Sequence, residues 1–527
     1  MLLIISADYV GAEFEAEIGN IPPCMLPIGN KKLIELQVQA IRQCMPQEKI
    51  ILALPESYVL KIDEQALIEE LAITLRFVPD SFNFANAVLY VLNIEADKSM
   101  TGVKILYGNT LIMDLPSELD VIAVVNSDKK YDWYAEESAG EMAVWAGYFS
   151  FSALPVLTKV LALSNGRFIK AVQRYRKLVP LNLHKVTRWY NCGYINTFFN
   201  SRANITTQRS FNSLLIQADT VTKTSENNQK IHAEAQWFLQ LPPALKKFTP
   251  QLIDYGTLRE DLEKDGVEKD CAFYCLEYLP LLPLNELFVH GRNPLSFWKN
   301  IFGLLENYLN ISMQCRQFSE AQRKQIQRAS DELYRDKSLS RLSQFAQVSQ
   351  FDLHQPVSYQ SVALGSVQQI CDVCIEKSLA LPNVYAILHG DLCFSNILFD
   401  ARGQRIKVID PRGMDENGTI TNLGNQSYDV AKLTHSIIGL YDFIIAGRYQ
   451  LVENGQDFAI NFELDDTTLS IQQAFMNGYF KAHVPLSNLM PAVVLLFLSM
   501  LPLHSDRPDR QRAMLINAMR LYRDYVL

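Results

Sequence analysis

The sequence lacks a long apolar run, a cluster of basic residues and any low-complexity segment. Its longest apolar run near the C-terminus, Ala492 to Leu503, has twelve residues, whereas a membrane-spanning helix needs about 20. We therefore expect this run to form a buried helix and the chain to have no membrane span.

Excess positive charge is also missing. Lys and Arg number 49 against 57 Asp and Glu, which gives a net charge of −8. Proteins that bind nucleic acids carry clustered Lys and Arg, so we expect no nucleic-acid partner. The nine cysteines lie mostly inside apolar segments, which is typical of a reducing compartment. The first residues have neither the positive region nor the cleavage site of a signal peptide. Together these features predict a cytoplasmic protein.

The chain of 527 residues is too long for one core, since a domain has roughly 100–200 residues. Up to about residue 205, short apolar runs such as MLLIIS and KIILAL alternate with helical patterns, which predicts βαβ units on a mainly parallel sheet. Residues 206–283 read as short strands around one helix. Residues 284–527 read as mostly helical. We predict an α/β domain over 1–205 and an α+β region with a small lobe over 206–283 and a helical lobe over 284–527.

A polar loop in the helical region carries the residues expected for phosphoryl transfer. Residues 387–399 read ILHGDLCFSNILF and include His389, Asp391 and Asn396, and the strand-like IKVID ends in Asp410. Phosphoryl transfer needs a carboxylate that accepts the hydroxyl proton, and oxygen ligands for Mg²⁺ on the triphosphate. Because Asn396 follows Asp391 by five residues and a single hairpin leads to Asp410, the three side chains can converge on one point.

This ordered set resembles the aminoglycoside phosphotransferase and choline kinase family, a small-molecule branch of the protein-kinase-like fold. The resemblance implies that Asp391 is the catalytic base, that Asn396 and Asp410 are metal ligands, and that His389 braces the loop. It also implies ATP and Mg²⁺ as cofactors. An ordinary polar hairpin loop is the alternative.

The upstream sequence agrees with a kinase-like lobe. Lys223 lies in a strand-like run and Glu234 in the following helix, as the phosphate-binding Lys and its helix Glu do in kinase-like folds. The segment YCLEYLP resembles the strand that joins the two lobes, which implies that Glu277 and Leu279 contact the nucleotide. A Gly-rich phosphate loop is missing, and the candidate turn is 216–220.

Arg412 lies two residues after Asp410, at which the strand-like run ends. Its planar guanidinium suits an anionic acceptor or a phosphate, and an ordinary salt bridge is an equal alternative. Asp429, in the run YDVAK, resembles a family residue that stabilises the catalytic loop.

Residues 1–205 resemble sugar nucleotidyltransferases. The segment PCMLPIGNKKLI from Pro23 matches their Lys-containing motif, and KILYGN, WAGYFS and WYNCG follow in family order. The chemical positions differ, however. Pro23 replaces the expected Lys, Asn109 and Asn191 replace two metal-binding aspartates, and the triphosphate loop carries Glu13, Glu15 and Glu17. An amide lacks the charge that holds Mg²⁺ between phosphates. We therefore expect a domain that does not transfer nucleotides. It either packs against the small lobe, which we favour, or presents a sugar-binding pocket.

The resemblances together imply a kinase acting on a hydroxyl of a sugar, polyol or choline-like acceptor, in the synthesis of bacterial surface polysaccharide precursors. A scaffold protein with two inactive domains and a bifunctional kinase/nucleotidyltransferase are the alternatives. The acceptor and the oligomeric state stay open.

Overall fold

The computed structural model describes residues 1–95, 101–127, 131, 133–138, 140–207, 214–217, 219–225, 227–261 and 268–527. The chain divides into two compact units. Unit 1 comprises Met1–Thr206 and His290–Arg292, and unit 2 comprises Thr207–Val289 and Asn293–Leu527.

Unit 1 combines short strands with helices that connect them. Its strands are β1 (Leu2–Ile5), β2 (Pro27–Ile28), β3 (Lys31–Lys32), β4 (Ile50–Pro55), β5 (Thr74–Val78), β6 (Val103–Tyr107), β7 (Thr110–Ile112), β8 (Val121–Asn126), β9 (Ala135–Ser138), β10 (Glu141–Phe151), β11 (Asn182–Lys185) and β12 (Trp189–Asn191). Its helices are α1 (Ala12–Ile18), α2 (Leu33–Cys44), α3 (Ile62–Glu70), α4 (Phe84–Glu95), α5 (Leu154–Ala162), α6 (Phe168–Arg176) and α7 (Ile195–Thr207).

The main sheet of unit 1 has eight strands in the described residues, in the order β11-β8-β10-β6-β1-β4-β5, with β9 paired to β10. The pairs of β1 with β4 and β6, and of β4 with β5, are parallel, whereas β10 runs antiparallel to its neighbours. All residues of β1 and β4 are buried, because helices cover both faces of a parallel sheet. The predicted α/β class of this half is confirmed.

Unit 2 contains a small antiparallel sheet and a large helical part. Its strands are β13 (Leu214–Ile216), β14 (Thr220–Thr224), β15 (Leu252–Asp261), β16 (Glu268–Glu277), β17 (Leu282–Pro283), β18 (Pro356–Tyr359), β19 (Val362–Ser366), β20 (Tyr385–Ile387), β21 (Ile397–Asp400), β22 (Arg405–Val408), β23 (Leu423–Asn425), β24 (Gln450–Asn454) and β25 (Asp457–Asn461). Its helices are α8 (Asn228–Leu239), α9 (Pro243–Lys246), α10 (Leu284–His290), α11 (Leu295–Gln314), α12 (Glu320–Asp331), α13 (Lys337–Ser349), α14 (Val367–Leu379), α15 (Ser427–Ile437), α16 (Tyr441–Ile445), α17 (Asp466–Ala474), α18 (Leu486–Met500) and α19 (Pro508–Tyr525).

The small sheet has the order β13-β14-β16-β15, with antiparallel pairing throughout. Helix α8 packs on it, and the ring of its buried Phe238 lies 6.0 Å from that of Tyr274 on β16. The remaining helices form the larger part, with the hairpin of β21 and β22 inserted among them. The predicted α+β class of the second half is confirmed.

Helix α18 contains most of the apolar run for which the sequence predicts burial. Within the described residues, one helical stretch, Leu486–His504, is long and apolar enough to cross a membrane by length and composition, and 67% of its most apolar window is buried inside the protein. Every residue of α18 from Leu489 to Ser499 is buried. This helix is therefore part of the core of unit 2.

Candidate active site

The loop that carries His389, Asp391 and Asn396 lies between β20 and the hairpin of β21 and β22. Residues 394–396 form a single 3₁₀ turn that leads directly into β21. Across the hairpin, Ile397 pairs with Val408, and the N–H of Ile409 donates to the carbonyl of Asn396 at 3.0 Å. This register places Asn396 and Asp410 at the same end of the hairpin.

Asp391 is held by a cation and an amide. Lys432 of α15 lies 2.9 Å from its Oδ1, and Asn396 Nδ2 donates to its Oδ2 at 3.1 Å. The ammonium group of Lys432 outweighs burial and lowers the pKa of Asp391 to about 2. The carboxylate is therefore ionised at neutral pH, and because it is 42% exposed it is open to the neighbouring cavity.

His389 is completely buried and holds the loop from inside. Its Nε2 lies 2.9 Å from the carbonyl of Ile409, and its Nδ1 accepts from the N–H of Asp391 at 3.3 Å. Burial lowers the pKa of His389 to about 4, so the ring is neutral, with the proton on Nε2. The two oxygens of Asp429 accept from the N–H groups of His389 and Gly390, each at 2.8 Å. His389 and Asp429 therefore fix the backbone that carries Asp391.

A second set of ion pairs, separate from that of Asp391 with Lys432, connects the small sheet to Asp410. Lys223 of β14 lies 2.8 Å from Glu234 of α8 and 3.1 Å from Asp410. The hydroxyl of Tyr274 on β16 donates to Glu234 at 2.7 Å. The side chains of Lys223 and Glu234 are 8% and 2% exposed, whereas that of Asp410 is 47% exposed. Burial raises the pKa of Glu234, and the two carboxylates outweigh burial to raise the pKa of Lys223.

The turn after β22 comes very close to α8. Asp410 has a φ of 54° and Gly413 one of 70°. A Cβ on Gly413 would lie 2.2 Å from the carbonyl oxygen of Ala233, so this position requires glycine. The close approach brings Asp410 within reach of Lys223.

The guanidinium group of Arg412 contacts a carboxylate, a backbone carbonyl and an aromatic ring of the same unit. Its guanidinium donates to Glu416 at 2.8 Å and to the carbonyl of Gly390 at 3.0 Å, and it lies 4.8 Å from the centre of the Tyr428 ring. Lys337 shares Glu416 at 3.0 Å. The salt bridge that the sequence left as an alternative is present, while Arg412 also lines the cavity beside Asp391.

One cavity of about 380 Å³ in unit 2 is bordered both by the Asp391–Lys432 pair and by the ion-paired Lys223, Glu234 and Asp410. Its lining includes Lys223, Asp391, Asn396, Asp410 and Lys432. Glu277 and Leu279 are not among its lining residues. Glu277 ends β16 and accepts from the N–H of Gln251, and the carbonyl of Leu279 accepts from Leu281. The contact of Glu277 and Leu279 with a nucleotide therefore stays a prediction. The candidate phosphate turn, 216–220, includes residue 218, which lies outside the described residues.

The donor atoms at this cavity fit a magnesium ion bound to phosphates. Asn396 uses Nδ2 to donate to Asp391, and its amide oxygen, which accepts from the Ser395 hydroxyl at 3.5 Å, keeps a second lone pair for a metal. Asp410 uses Oδ1 for Lys223 and Tyr274, and its exposed carboxylate keeps a second oxygen. Mg²⁺ is usually held by one or two such side chains together with substrate phosphates. Within the described residues there is no group of three or more His, Cys, Asp or Glu that could hold a metal by itself.

Lys432, Tyr274 and His435 complete the site, although the sequence did not single them out as site residues. Lys432 and His435 lie one turn apart on α15 and line the cavity, and Tyr274 lies behind Lys223 on β16. The signal for Lys432 and His435 was weak, because a helix far along the chain carries them. Only the run YDVAK pointed to that helix.

Unit 1 has a cavity of its own, of about 360 Å³, at the carboxyl ends of β1 and β6. Pro23 and Asn109 line it, and none of its lining residues in the described chain is Lys, Arg or His. Lys32 lies 2.8 Å from Glu64, both almost fully buried. The oxygen of the Asn191 amide accepts from Thr197 at 2.8 Å. Glu13, Glu15 and Glu17 lie on α1 and are not among the lining residues.

Solved structures similar to this chain include sugar and polyol nucleotidyltransferases and an aminoglycoside phosphotransferase. These are the two classes that the halves of the sequence resemble. No protein-family model matches the chain, and no curated protein matches it either.

Three of these structures illustrate the likeness. A nucleoside-diphosphate-sugar pyrophosphorylase from Vibrio cholerae is 14% identical, with 38% of this chain and 100% of that chain covered and a TM-score of 0.32. An inositol-1-phosphate CTP transferase from T. maritima is 10% identical, with coverages of 40% and 97% and a TM-score of 0.29. An aminoglycoside-3'-phosphotransferase of type VIII is 14% identical, with coverages of 56% and 97% and a TM-score of 0.31. Matches at this level do not indicate a shared activity, and the fold classes rest on the strand order described above.

Proposed function

We propose that unit 2 is an ATP- and Mg²⁺-dependent kinase that transfers the γ-phosphoryl group to a hydroxyl of a small molecule, such as a sugar, a polyol or a choline-like compound. One observation carries this proposal. A buried Lys223–Glu234 pair reaches Asp410, and Asp391 with Asn396 faces the same cavity. A polar hairpin loop without catalytic function would not need a buried cation directed at it from a separate sheet.

Each group has a role in the proposed reaction. Lys223 binds phosphate oxygens of ATP, and Glu234 with Tyr274 holds its ammonium in place. Asn396 and Asp410 would hold Mg²⁺, which neutralises charge on the phosphates when bound. Asp391 accepts the proton of the acceptor hydroxyl while the hydroxyl oxygen bonds to the γ-phosphorus, and ADP leaves with the electron pair of the broken P–O bond. His389 and Asp429 keep Asp391 oriented.

Lys432 adds a cation beside the proposed base. Its ammonium group, 2.9 Å from Asp391, keeps the carboxylate ionised and lies where negative charge accumulates during transfer. A base with a pKa of about 2 is weak. It fits a loose transition state in which the proton moves late and positioning supplies most of the rate.

The setting that we propose is the cytoplasm, in the synthesis of precursors for bacterial surface polysaccharides. The polysaccharide setting rests on the family resemblance of the sequence, and the cytoplasmic location rests on its composition and on the apolar surroundings of its cysteines. For unit 1 we propose no nucleotidyl transfer, which is supported by a cavity that no described Lys, Arg or His lines and by the amides at residues 109 and 191.

The test is ADP release from Mg²⁺·ATP in the presence of sugars, polyols and amino alcohols, with the full-length protein. Turnover should fall by about 10²–10⁴-fold in Asp391→Asn, the usual contribution of a positioned general base, while ATP still binds. Asp410→Ala should lose Mg²⁺-dependent ATP binding. Full activity in either variant would refute the kinase proposal. ATP binding without any turnover would favour the scaffold alternative.

A further inference from the structure

One wall of the cavity in unit 2 contains none of the residues that the proposed reaction uses. We call it the acceptor wall, and it comes from α15, α16, α18 and the turn that follows α18. Its residues are His435, Tyr441, Leu496, Ser499, Met500 and Leu503. It joins the catalytic groups through α15, because Lys432 precedes His435 by one helical turn.

The charges around the cavity disfavour a cationic acceptor, because the lining carboxylates are already paired with cations. The described lining residues include three carboxylates, and each already has a cation within 3.1 Å. Glu234 and Asp410 share Lys223, and Asp391 contacts Lys432. Lys230, Lys337 and Arg412 line the cavity as well. The acceptor wall itself carries neither a carboxylate nor a Lys or Arg, so an ammonium group would find no counter-ion there.

His435 is a buried polar residue of this wall whose ring nitrogens lack partners among the described residues. It is 1% exposed, and neither ring nitrogen has a hydrogen-bond partner among the described residues. The rings of Phe497 and Tyr441, with centres 4.2 Å and 4.6 Å away, hold the imidazole between them. A buried polar group without a partner costs free energy, and a ligand that supplied the partner would remove this cost.

The protonation state of His435 indicates which ligand group fits. Burial, reinforced by the nearby Lys432, keeps the pKa of His435 well below its ordinary value. The neutral ring therefore offers one donor and one acceptor. A hydroxyl group both donates and accepts and can serve either nitrogen, whereas an ammonium group only donates and a phosphate ester dianion only accepts.

We propose that the acceptor wall binds an uncharged polyhydroxy acceptor, a sugar or a polyol, through a hydrogen bond between one of its hydroxyl groups and His435. The proposal rests on the kinase function above and narrows its substrate class by excluding choline-like and amino-sugar acceptors. A second hydroxyl of the same molecule would face Asp391, where its proton passes to the carboxylate as its oxygen bonds to the γ-phosphorus of ATP.

The experiment uses the full-length protein and three sets of probes: uncharged monosaccharides and polyols, their amino derivatives together with choline, and sugar phosphates. ADP release and the shift in melting temperature are measured for each set with Mg²⁺·ATP present. We expect uncharged compounds to give both signals. A preference for amino compounds or sugar phosphates would overturn this proposal and leave the kinase function standing. ATP binding with no response to any uncharged compound would overturn it too. Failure to bind ATP would refute the kinase function itself.

Two variants separate binding from structure. His435→Phe keeps the ring between Tyr441 and Phe497 but removes both nitrogens, and His354→Phe changes an exposed histidine outside the cavity as a control. We expect His435→Phe to raise the KM for the acceptor about tenfold or more, the loss of one hydrogen bond, with an unchanged KM for ATP and no loss of melting temperature. The control should change none of these. An unchanged acceptor KM, or equal losses of ATP and acceptor binding with a lower melting temperature, would contradict the proposal.

Discussion

Removal of the Lys223 ammonium group should leave Glu234 as a buried acid without its main partner. Glu234 is 2% exposed and keeps the Tyr274 hydroxyl at 2.7 Å and the exposed Lys230 at 3.8 Å. Breaking a buried ion pair by removing one partner typically costs about 3–5 kcal/mol of unfolding free energy. We expect Lys223→Met to destabilise unit 2 by an amount in this range at pH 8.

The loss should depend on pH in a defined direction. Burial already raises the pKa of Glu234, and loss of Lys223 removes the main effect that lowers it. The folded variant then binds a proton at a pH at which the unfolded chain does not, so its stability falls as pH rises above the ordinary pKa of Glu. The slope can reach about 1.4 kcal/mol per pH unit for one proton. The destabilisation should therefore be smaller at pH 6 than at pH 8.

Hydrogen exchange measured by mass spectrometry is the assay, because it reports the opening of β14 and α8 separately from unit 1. Lys230→Met is the matched control, since that ammonium is 47% exposed and exposed pairs contribute only about 0–1 kcal/mol. The double variant Lys223→Met with Glu234→Leu should recover most of the lost stability, because an apolar pair can replace a buried ion pair. Equal losses at both pH values, or a double variant as unstable as the sum of the single ones, would refute the reasoning.

Two further predictions concern Lys432 and unit 1. Lys432→Met removes the main effect that opposes burial and should raise the pKa of Asp391 from about 2 to above its ordinary value, so an acid limb of kcat/KM should appear above pH 4; profiles measured between pH 4 and 8 that coincide for the two proteins would contradict this. Full-length Asp391→Asn protein, incubated with Mg²⁺, nucleoside triphosphates and sugar 1-phosphates, should release no pyrophosphate beyond a no-protein control, because no described lining residue of the cavity in unit 1 is a Lys, Arg or His that could bind the phosphates. Clear release would instead favour the bifunctional alternative.

The parts of the site that the sequence predicted are those that local spacing determines. Asp391, Asn396 and Asp410 lie within one loop and one hairpin, so their order along the chain nearly fixes their proximity. The pair of Lys223 with Glu234 could be proposed because a strand and the next helix carry it. Both βαβ alternation and the change to helices after residue 283 follow from hydrophobic periodicity, which is why the fold classes could be predicted.

The remaining features depend on packing between distant segments. Lys432 and His435 reach the cavity only because α15 packs behind the catalytic loop, where Asp429 binds the loop backbone. Nothing in the local pattern shows that His435 lacks a hydrogen-bond partner, since this depends on the rings of Tyr441 and Phe497. The sequence also could not show that Glu416 engages Arg412, or that a cavity exists in unit 1.

Transfer of phosphate to an acceptor is the central claim, and ³¹P NMR of Mg²⁺·ATP with the full-length protein and a panel of sugars, polyols and amino alcohols tests it most directly. We predict resonances of ADP and of a phosphate monoester that appear together, depend on the acceptor and are absent with Asp391→Asn. Unchanged ATP, or ADP with inorganic phosphate at the same rate with and without the panel, would contradict the claim.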